Sequence, residues 1–404
     1  MRMAGALAPD YNGGAMTTEL TLILPGVLPP RENRETLGTD LLRQLELPAL
    51  EKLLAQMEPA TADQDETHDD AYLPTLPHER WLARAAKLQA HGHSLPTAPY
   101  MRLAAGLAAG QPASAASGTT SAAASPVTSA ASSTTVAATW ACLQPVHIHA
   151  ARDHLVLVDP ALLDLQADEA EALHDAIRPL VADLGMTLER PLPSHWFVSG
   201  ETFGSLKAAA PARAIGRNID LWMQAGERAR DWRRFQNEVQ MIWFDHPVNQ
   251  AREASGRPAV NSVWLHGTGA LRKISPLAEA VWADDLFTCG LALAANTPVH
   301  PAPAALSDCT LPAGHALIML DDASGSAANG DWAVWLDAMR RLEANWFAPA
   351  LAALRSGEIR KLQLVASNDT HVAARTITRG GLRKFWRGLQ GDWRQRWLTL
   401  GGKA

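Results

Sequence analysis

MTTELTLILPG, residues Met16 to Gly26, carries an apolar run, Leu20–Leu24, that Pro25 and Gly26 bring to an abrupt stop. So short and nearly unbroken a run suits a strand buried on both faces, as in a parallel sheet. Two later runs repeat the pattern. His315–Leu320 (HALIML) ends in Asp321–Asp322, and Lys361–Ala366 (KLQLVA) ends in Ser367–Asn368–Asp369. Asn261–His266 (NSVWLH) is a further strand, running into Gly267 and Gly269. Helical patterns fall between these runs, at about Thr39–Gln56, Pro77–Ala90, Asp168–Leu184, Ile219–Met241 and Asp331–Glu343. Strands alternating with helices predict an α/β fold, a doubly wound, mostly parallel sheet with helices on both faces.

The rest of the chain divides around this core. Residues 1–15 lack an apolar segment of signal-peptide length and are expected to be a disordered leader, with Met16 a second candidate start. Residues 16–103 form the first part of the core. From 104 to 139 the chain is almost entirely Ala, Ser, Thr and Gly, which predicts a disordered insertion, because such side chains bury too little surface to offset ordering entropy. Within 140–200, WACLQPVHIHAARDHLVLVDP reads as two strands, DEAEALHDAIRPLVADL as a helix and PSHWFVSG as another strand, together a small α+β inserted domain. Residues 201–378 return to the core. Residues 379–404 form a basic tail that interleaves Arg and Lys with Trp386, Trp393 and Trp397.

With 404 residues, 47% hydrophobic and 19% charged, the chain easily supplies a packed core. A net charge of −6 disfavours a nucleic-acid partner, and no apolar run approaches the ~20 residues of a membrane span. Three scattered cysteines, Cys142, Cys289 and Cys309, make neither a disulfide framework nor a zinc finger and fit a reducing cytoplasm. Tryptophan is abundant, 14 against 7 Phe and 3 Tyr, and suits buried or interface positions.

Ligands of open parallel sheets bind at the carboxyl ends of the strands. Here those ends carry Pro25–Gly26, His266–Gly267–Thr268–Gly269, Asp321–Asp322 and Asn368–Asp369–Thr370–His371. Converging carboxylates and imidazoles would suit a divalent metal, whereas strand-end Asp and Asn also cap turns. Gly267-x-Gly269 would let a backbone approach a phosphate, or simply make a tight turn. His147 and His149 share one strand face near His154, and His91 and His93 precede a loop. Each group fits either a metal or an ordinary polar surface.

The segments PVHIHAARDHLVLVDPALLDLQADEAEAL, EVQMIWFDHPVNQAREASGRPAVNSVWLHGTG and Gly330-Asp331-Trp332 resemble the RpfE-type regulatory proteins of proteobacteria, a family often labelled phosphoglycerate mutase. That family is more distantly similar to the archaeal-type cofactor-independent phosphoglycerate mutases of the alkaline phosphatase superfamily. The resemblance implies an alkaline-phosphatase-like core interrupted by a smaller domain. It also implies a comparison with two-metal chemistry, in which a Ser or Thr takes the phosphoryl group and the first strand ends in a metal-binding Asp. Here that strand ends in Pro25. The Asp-Glu-x-Gly-His segment becomes Asp321-Asp322-Ala323-Ser324-Gly325, the Asp-His pair becomes Asp369-Thr370-His371, and the hydroxyl in LPTLPHERWL is Thr75.

The expectation is therefore a cytoplasmic, mutase-like regulatory protein without the two-metal site, acting by binding a small anionic or phosphorylated ligand or a protein partner, with no cofactor. Asn261, His266, Gly267 and Gly269 are the ligand-binding candidates. The first alternative is an active mutase or phosphatase in which Asp322, Asp369 and His371 hold Mn²⁺ or Zn²⁺ and Thr75 accepts the phosphoryl group. The second is a scaffold that works through its tryptophans and basic tail.

Overall fold

The computed structural model describes residues 18–30, 37–60, 73–90, 94–108, 138–200, 206–383 and 392–401. The expected leader, most of the Ala/Ser/Thr insertion, the His91–His93 pair and Trp386 lie outside them. In chain order the strands are β1 (Thr18–Leu24), β2 (Glu58–Pro59), β3 (Thr139–Val146), β4 (Ile148–Ala150), β5 (Leu155–Leu157), β6 (Thr187–Glu189), β7 (Trp196–Ser199), β8 (Ser262–Ala270), β9 (Ala280–Trp282), β10 (Val299–His300), β11 (His315–Met319), β12 (Ile359–Ser367) and β13 (Val372–Thr378).

The main sheet runs β10-β9-β11-β1-β12-β13-β2. Its first five strands are parallel, and β13 and then β2 pair antiparallel at the far edge. Side chains alternate between two cores, as the two-residue period of a strand requires. Leu20, Leu22 and Leu24 join Ile318, Leu362 and Leu364 on one face, covered by the helices Pro48–Gln56, Trp332–Leu342, Ala348–Ser356 and Trp393–Leu400. Ile23, Leu317 and Val365 face the other way, beneath Pro77–Ala85, Thr97–Ala108 and Leu286–Ala294. The sheet is thus doubly wound, as its alternating pattern predicts.

A second sheet, β6-β7-β3-β8, is antiparallel throughout. Ala141 and Leu143 face the helices Ala167–Asp183 and Ala229–Phe244, while Cys142 faces the core beside the Thr97–Ala108 helix. That helix is the shared layer between the two sheets. Its closest neighbour is Leu286–Ala294, at Gly290, where an added Cβ would stand 2.0 Å from the Tyr100 carbonyl oxygen. Gly290→Ala is therefore expected to push the helices apart and cost about 1–3 kcal/mol, read as a lower denaturant midpoint at unchanged slope. An unchanged midpoint would contradict this packing.

Several boundaries differ from the sequence reading. The small sheet does not close at Gly200, because β8 pairs along β3 from Ser262 to Ala270. The pattern at Thr39–Gln56 is two helices, Thr39–Arg43 and Pro48–Gln56, with Pro48 at the second start. The helix begun at Pro77 ends at Ala85. The Thr97–Ala108 helix runs four residues beyond Ala104, the expected start of the disordered insertion, and Ala104 and Ala105 are buried in it. The tryptophans are largely interior. Trp196, Trp232, Trp243, Trp264, Trp335 and Trp397 are almost wholly buried, several with the indole N–H donated to a backbone carbonyl. The tail tryptophans Trp393 and Trp397 pack into the main core.

Candidate functional site

The parallel strands β9, β11 and β1 end beneath the small sheet, and a cavity of about 450 Å³ opens between the two bodies. Pro25, Met319 and Asp321 come from the ends of β1 and β11, and Asp284 and Asp285 follow β9. His78 and Glu79 enter from the first turn of the Pro77–Ala85 helix. Gln144, Ser194, His195 and His266 line the opposite wall. Pro25, His78 and Ser324 also border a smaller adjoining space of about 80 Å³, reached by Arg217, Asn368 and Asp369. At the mouth, Asn329 Nδ2 donates to Asp159 Oδ2 at 2.7 Å and ties the two bodies together.

Burial governs the charges here. It pushes the Glu79 carboxyl up to about 7, and the nearby charge of Asp285 adds to the rise although the Leu76 N–H donates to Glu79 at 2.8 Å. Asp285 is pushed up to about 6, first by burial and then by the charge of Asp321, against the opposing pull of its helix-capping bond from the Thr288 N–H. Asp321 is raised for the same two reasons, burial and then the carboxylates of Asp322 and Asp284. The imidazoles move the other way. Burial lowers His78 and His195 to about 4, with Arg80 assisting at His78, and lowers His266 to about 3, with His195 assisting. All three histidines are neutral at pH 7.

The far wall is one hydrogen-bonded chain. Gln144 Nε2 lies 2.9 Å from His195 Nε2, and Gln144 Oε1 lies 3.1 Å from His266 Nε2. The amide N–H donates, so His195 Nε2 accepts and that ring carries its proton on Nδ1. That proton meets Ser194 Oγ at 3.0 Å, leaving the serine hydroxyl hydrogen for another acceptor. By the same logic His266 is protonated on Nε2, and its Nδ1 is the acceptor nitrogen.

Of the strand-end residues singled out in the sequence, Pro25, His266 and Asp321 line this cavity and Asp369 borders the smaller space, while the remaining site candidates are placed elsewhere. Asn261 clamps the start of β4, accepting from the Ile148 N–H at 2.8 Å and donating to the Ile148 carbonyl at 2.9 Å. Gly267 and Gly269 lie in a β-bulge of β8, where Trp140 faces Gly269 and Cys142 faces His266. Gly267 has φ +68°, and a Cβ there would sit 2.2 Å from Thr97 Oγ1; one on Gly269 would sit 2.3 Å from Pro96 Cβ. These glycines admit the neighbouring chain rather than a phosphate. Asp322 is exposed, its carboxylate 4.0 Å from Arg341. Asp369 accepts from Arg217 at 2.7 Å, and its carbonyl accepts from Arg213. His371 is buried, its Nδ1 2.9 Å from Thr370 Oγ1 in a turn that Asn368 organises. Thr75 is buried, and its Oγ1 has no hydrogen-bond partner. His147 donates to the Ala259 carbonyl at 2.7 Å and stacks on His149, while His154 pairs with Asp153.

The proposed ligand set Asp322, Asp369 and His371 therefore does not converge. Among the described residues no three His, Cys, Asp or Glu side chains gather in a metal-binding arrangement.

Glu79, Gln144, Ser194, His195, Asp284 and Asp285 escaped the sequence reading. The one available signal was Asp284–Asp285 after Ala280–Ala283, a short apolar run ending in two acids just as HALIML does.

Fold and cleft together define a doubly wound α/β protein with a ligand-sized cavity at the carboxyl edge of its parallel strands. No known protein family and no curated protein matches the chain in sequence. Among solved structures, it is similar to a cofactor-independent phosphoglycerate mutase from Thermoplasma acidophilum DSM 1728, at 16% identity over 90% of both chains with a TM-score of 0.36. It is also similar to the PH0037 protein from Pyrococcus horikoshii, at 14% identity over 89% of this chain and 86% of that one, with a TM-score of 0.42. Among the described residues no helix is long and apolar enough to cross a membrane.

Proposed function

We propose that the chain is a mutase-like regulatory protein of the cytoplasm that acts by binding a small ligand in its inter-sheet cleft, and not by two-metal phosphoryl transfer. The observation that carries this reading is the placement of the acids. Pro25 stands at the end of β1, Asp322 faces Arg341, and Asp369 is neutralised by Arg217. A metal needs several anionic ligands on one point, and these two acids are paired with two different arginines. An anionic group would find a guanidinium at Arg217, in the smaller space beside Asn368 and Ser324.

A second reading, a metal-dependent mutase or phosphatase with a rearranged site, has one observation in its favour. Thr75 Oγ1 and Asp369 Oδ1 are both buried without a hydrogen-bond partner, and such orphans call for an explanation. It requires Arg217 to release Asp369.

Elemental analysis, thermal shift with Mn²⁺ and Zn²⁺, and a phosphoglycerate mutase assay separate the two. The binding reading expects no stoichiometric metal, no metal-induced shift and no turnover. About two equivalents of metal, lost in an Asp369→Ala/His371→Ala variant together with turnover, would establish the second reading instead.

A further inference from the structure

The larger cavity has a charge character of its own. Among the described residues, its lining includes carboxylates from four separate segments, at Glu79, Asp159, Asp284–Asp285 and Asp321, and neither lysine nor arginine. Arg213 and Arg80, which act on Glu79 from outside the lining, are engaged elsewhere, Arg213 donating to the Leu73 carbonyl at 3.0 Å and Arg80 to the Thr75 carbonyl at 2.6 Å. Asp285 adds an independent observation. Its Oδ1 caps the Leu286–Ala294 helix at the Thr288 N–H, while its Oδ2 is buried without a hydrogen-bond partner of good geometry, the equally unpartnered Thr288 hydroxyl lying close enough to act on its titration. A buried carboxylate oxygen left bare is costly unless a donor meets it. The facing wall offers no charge, since His195 and His266 are neutral. It offers instead a free serine hydroxyl hydrogen and an acceptor imidazole nitrogen. Among the described residues, an anion entering this space would meet carboxylates from four segments and no cation in the lining.

We propose that the larger cavity binds a small organic cation, an amine or guanidinium compound bearing further hydrogen-bonding groups. Its positive end lies against Asp285, Glu79 and Asp321, and its polar remainder against Ser194 and His266. The inference rests on the binding reading above and names the ligand class of that cleft. No proton is transferred to the ligand; the cation completes the hydrogen bonding of carboxylates whose ionisation burial otherwise disfavours.

The affinity should depend on pH. Glu79 faces Asp285, Arg80 and Arg213; Asp285 faces Asp321; Asp321 faces Asp322 and Asp284; and the imidazoles of His78, His195 and His266 complete the walls without charge. Only the ionised carboxylates attract a cation, so binding strengthens as pH rises through 6 to 7 and levels off near 8.

The test is calorimetry and thermal shift on the full chain with ethanolamine, putrescine and agmatine as their chloride salts, at matched ionic strength, with 3-phosphoglycerate in parallel. At least one amine should bind at pH 8 and do so about tenfold more weakly at pH 5.5, the scale of one titrating charge. Asp285→Asn removes the charge but keeps a good helix cap, and should weaken binding by about tenfold or more. Should that variant fail to fold, Asp321→Asn at the edge of the cavity gives the same readout. If none of the three amines binds at pH 8, or if binding ignores both pH and these variants, the inference is overturned. Stabilisation by 3-phosphoglycerate alone would also overturn it, while leaving the binding reading intact.

Discussion

Arg252→Ala is expected to lower stability by about 3–5 kcal/mol, as breaking a buried ion pair from one side does. The Arg252 side chain is fully buried and satisfies three groups at once. It donates to Glu169 Oε2 at 2.6 Å, to the Leu163 carbonyl at 2.6 Å and to the Pro258 carbonyl at 2.9 Å. Alanine leaves all three without that donor and opens a cavity beside them. Arg257 also grips Glu169, at 2.9 Å, but its side chain is 35% exposed. Arg257→Ala should therefore cost about 1 kcal/mol or less, as half-exposed pairs do. Urea unfolding of the two variants checks the contrast, and equal losses would mean that the buried arginine does not hold the small unit together. The consequence reaches the cleft. The Pro247–Ala254 helix is clamped to the next segment by Asn249, which donates to the Trp243 and Val260 carbonyls and accepts from the Val260 N–H. That segment leads into β8 and so places His266.

This explains what the long His246–Gly269 run encodes. His246 caps its helix with Nδ1, Pro247 takes the first turn, Asn249 and Arg252 clamp, Asn261 ties down β4, and the glycines form the bulge. Most of the run is scaffold, and His266 is its one contribution to the cavity. The sequence showed the run clearly but could not separate packing from recognition, since both demand specific polar side chains.

The core was legible where local pattern is strong. β1, β11 and β12 are apolar runs of strand length, and the structure places them side by side. β9 and β10 were not, because three and two residues leave no periodicity to read. The extent of the small unit was hidden for another reason. β8 pairs with β3 from more than a hundred residues away, across the helices Ala167–Asp183 and Ala229–Phe244, and no local signal announces such a pairing. The acids at the end of β11 show the limit most sharply. Asp321 and Asp322 are equivalent as letters, yet Asp321 borders the cavity while Asp322 faces Arg341. Choosing Asp322 as the ligand candidate required a direction that only the fold supplies.

The protein should be most stable at about pH 7 and above and lose several kcal/mol by pH 4, with the histidines of the cleft as the cause. His78, His195 and His266 have folded values of about 4, 4 and 3 against about 6.5 in the unfolded chain. A group with a depressed folded value binds fewer protons when folded, so its contribution is intact above pH 6.5 and is lost as pH falls through the folded value. Each of the three costs about 3 kcal/mol by pH 4 on that linkage. The acids act in the opposite sense. Glu79 and Asp285, raised to about 7 and 6, hold protons that the unfolded chain has released. Their contribution is full below the unfolded values and is lost as pH rises through 6 and 7, which offsets part of the histidine loss and leaves the curve nearly flat above pH 7. Chemical unfolding from pH 4 to 8 at fixed ionic strength should give this curve. His195→Gln/His266→Gln removes two of the titrating groups while leaving amides able to bond Gln144, so its acid limb should be markedly shallower. Parallel acid limbs in the wild type and the variant would place the proton uptake elsewhere. A saturating cation should raise the curve above pH 6, because it favours ionised Glu79 and Asp285 and thereby removes their unfavourable contribution there. The apo curve and the liganded curve would then diverge only on the alkaline side, where those carboxylates titrate.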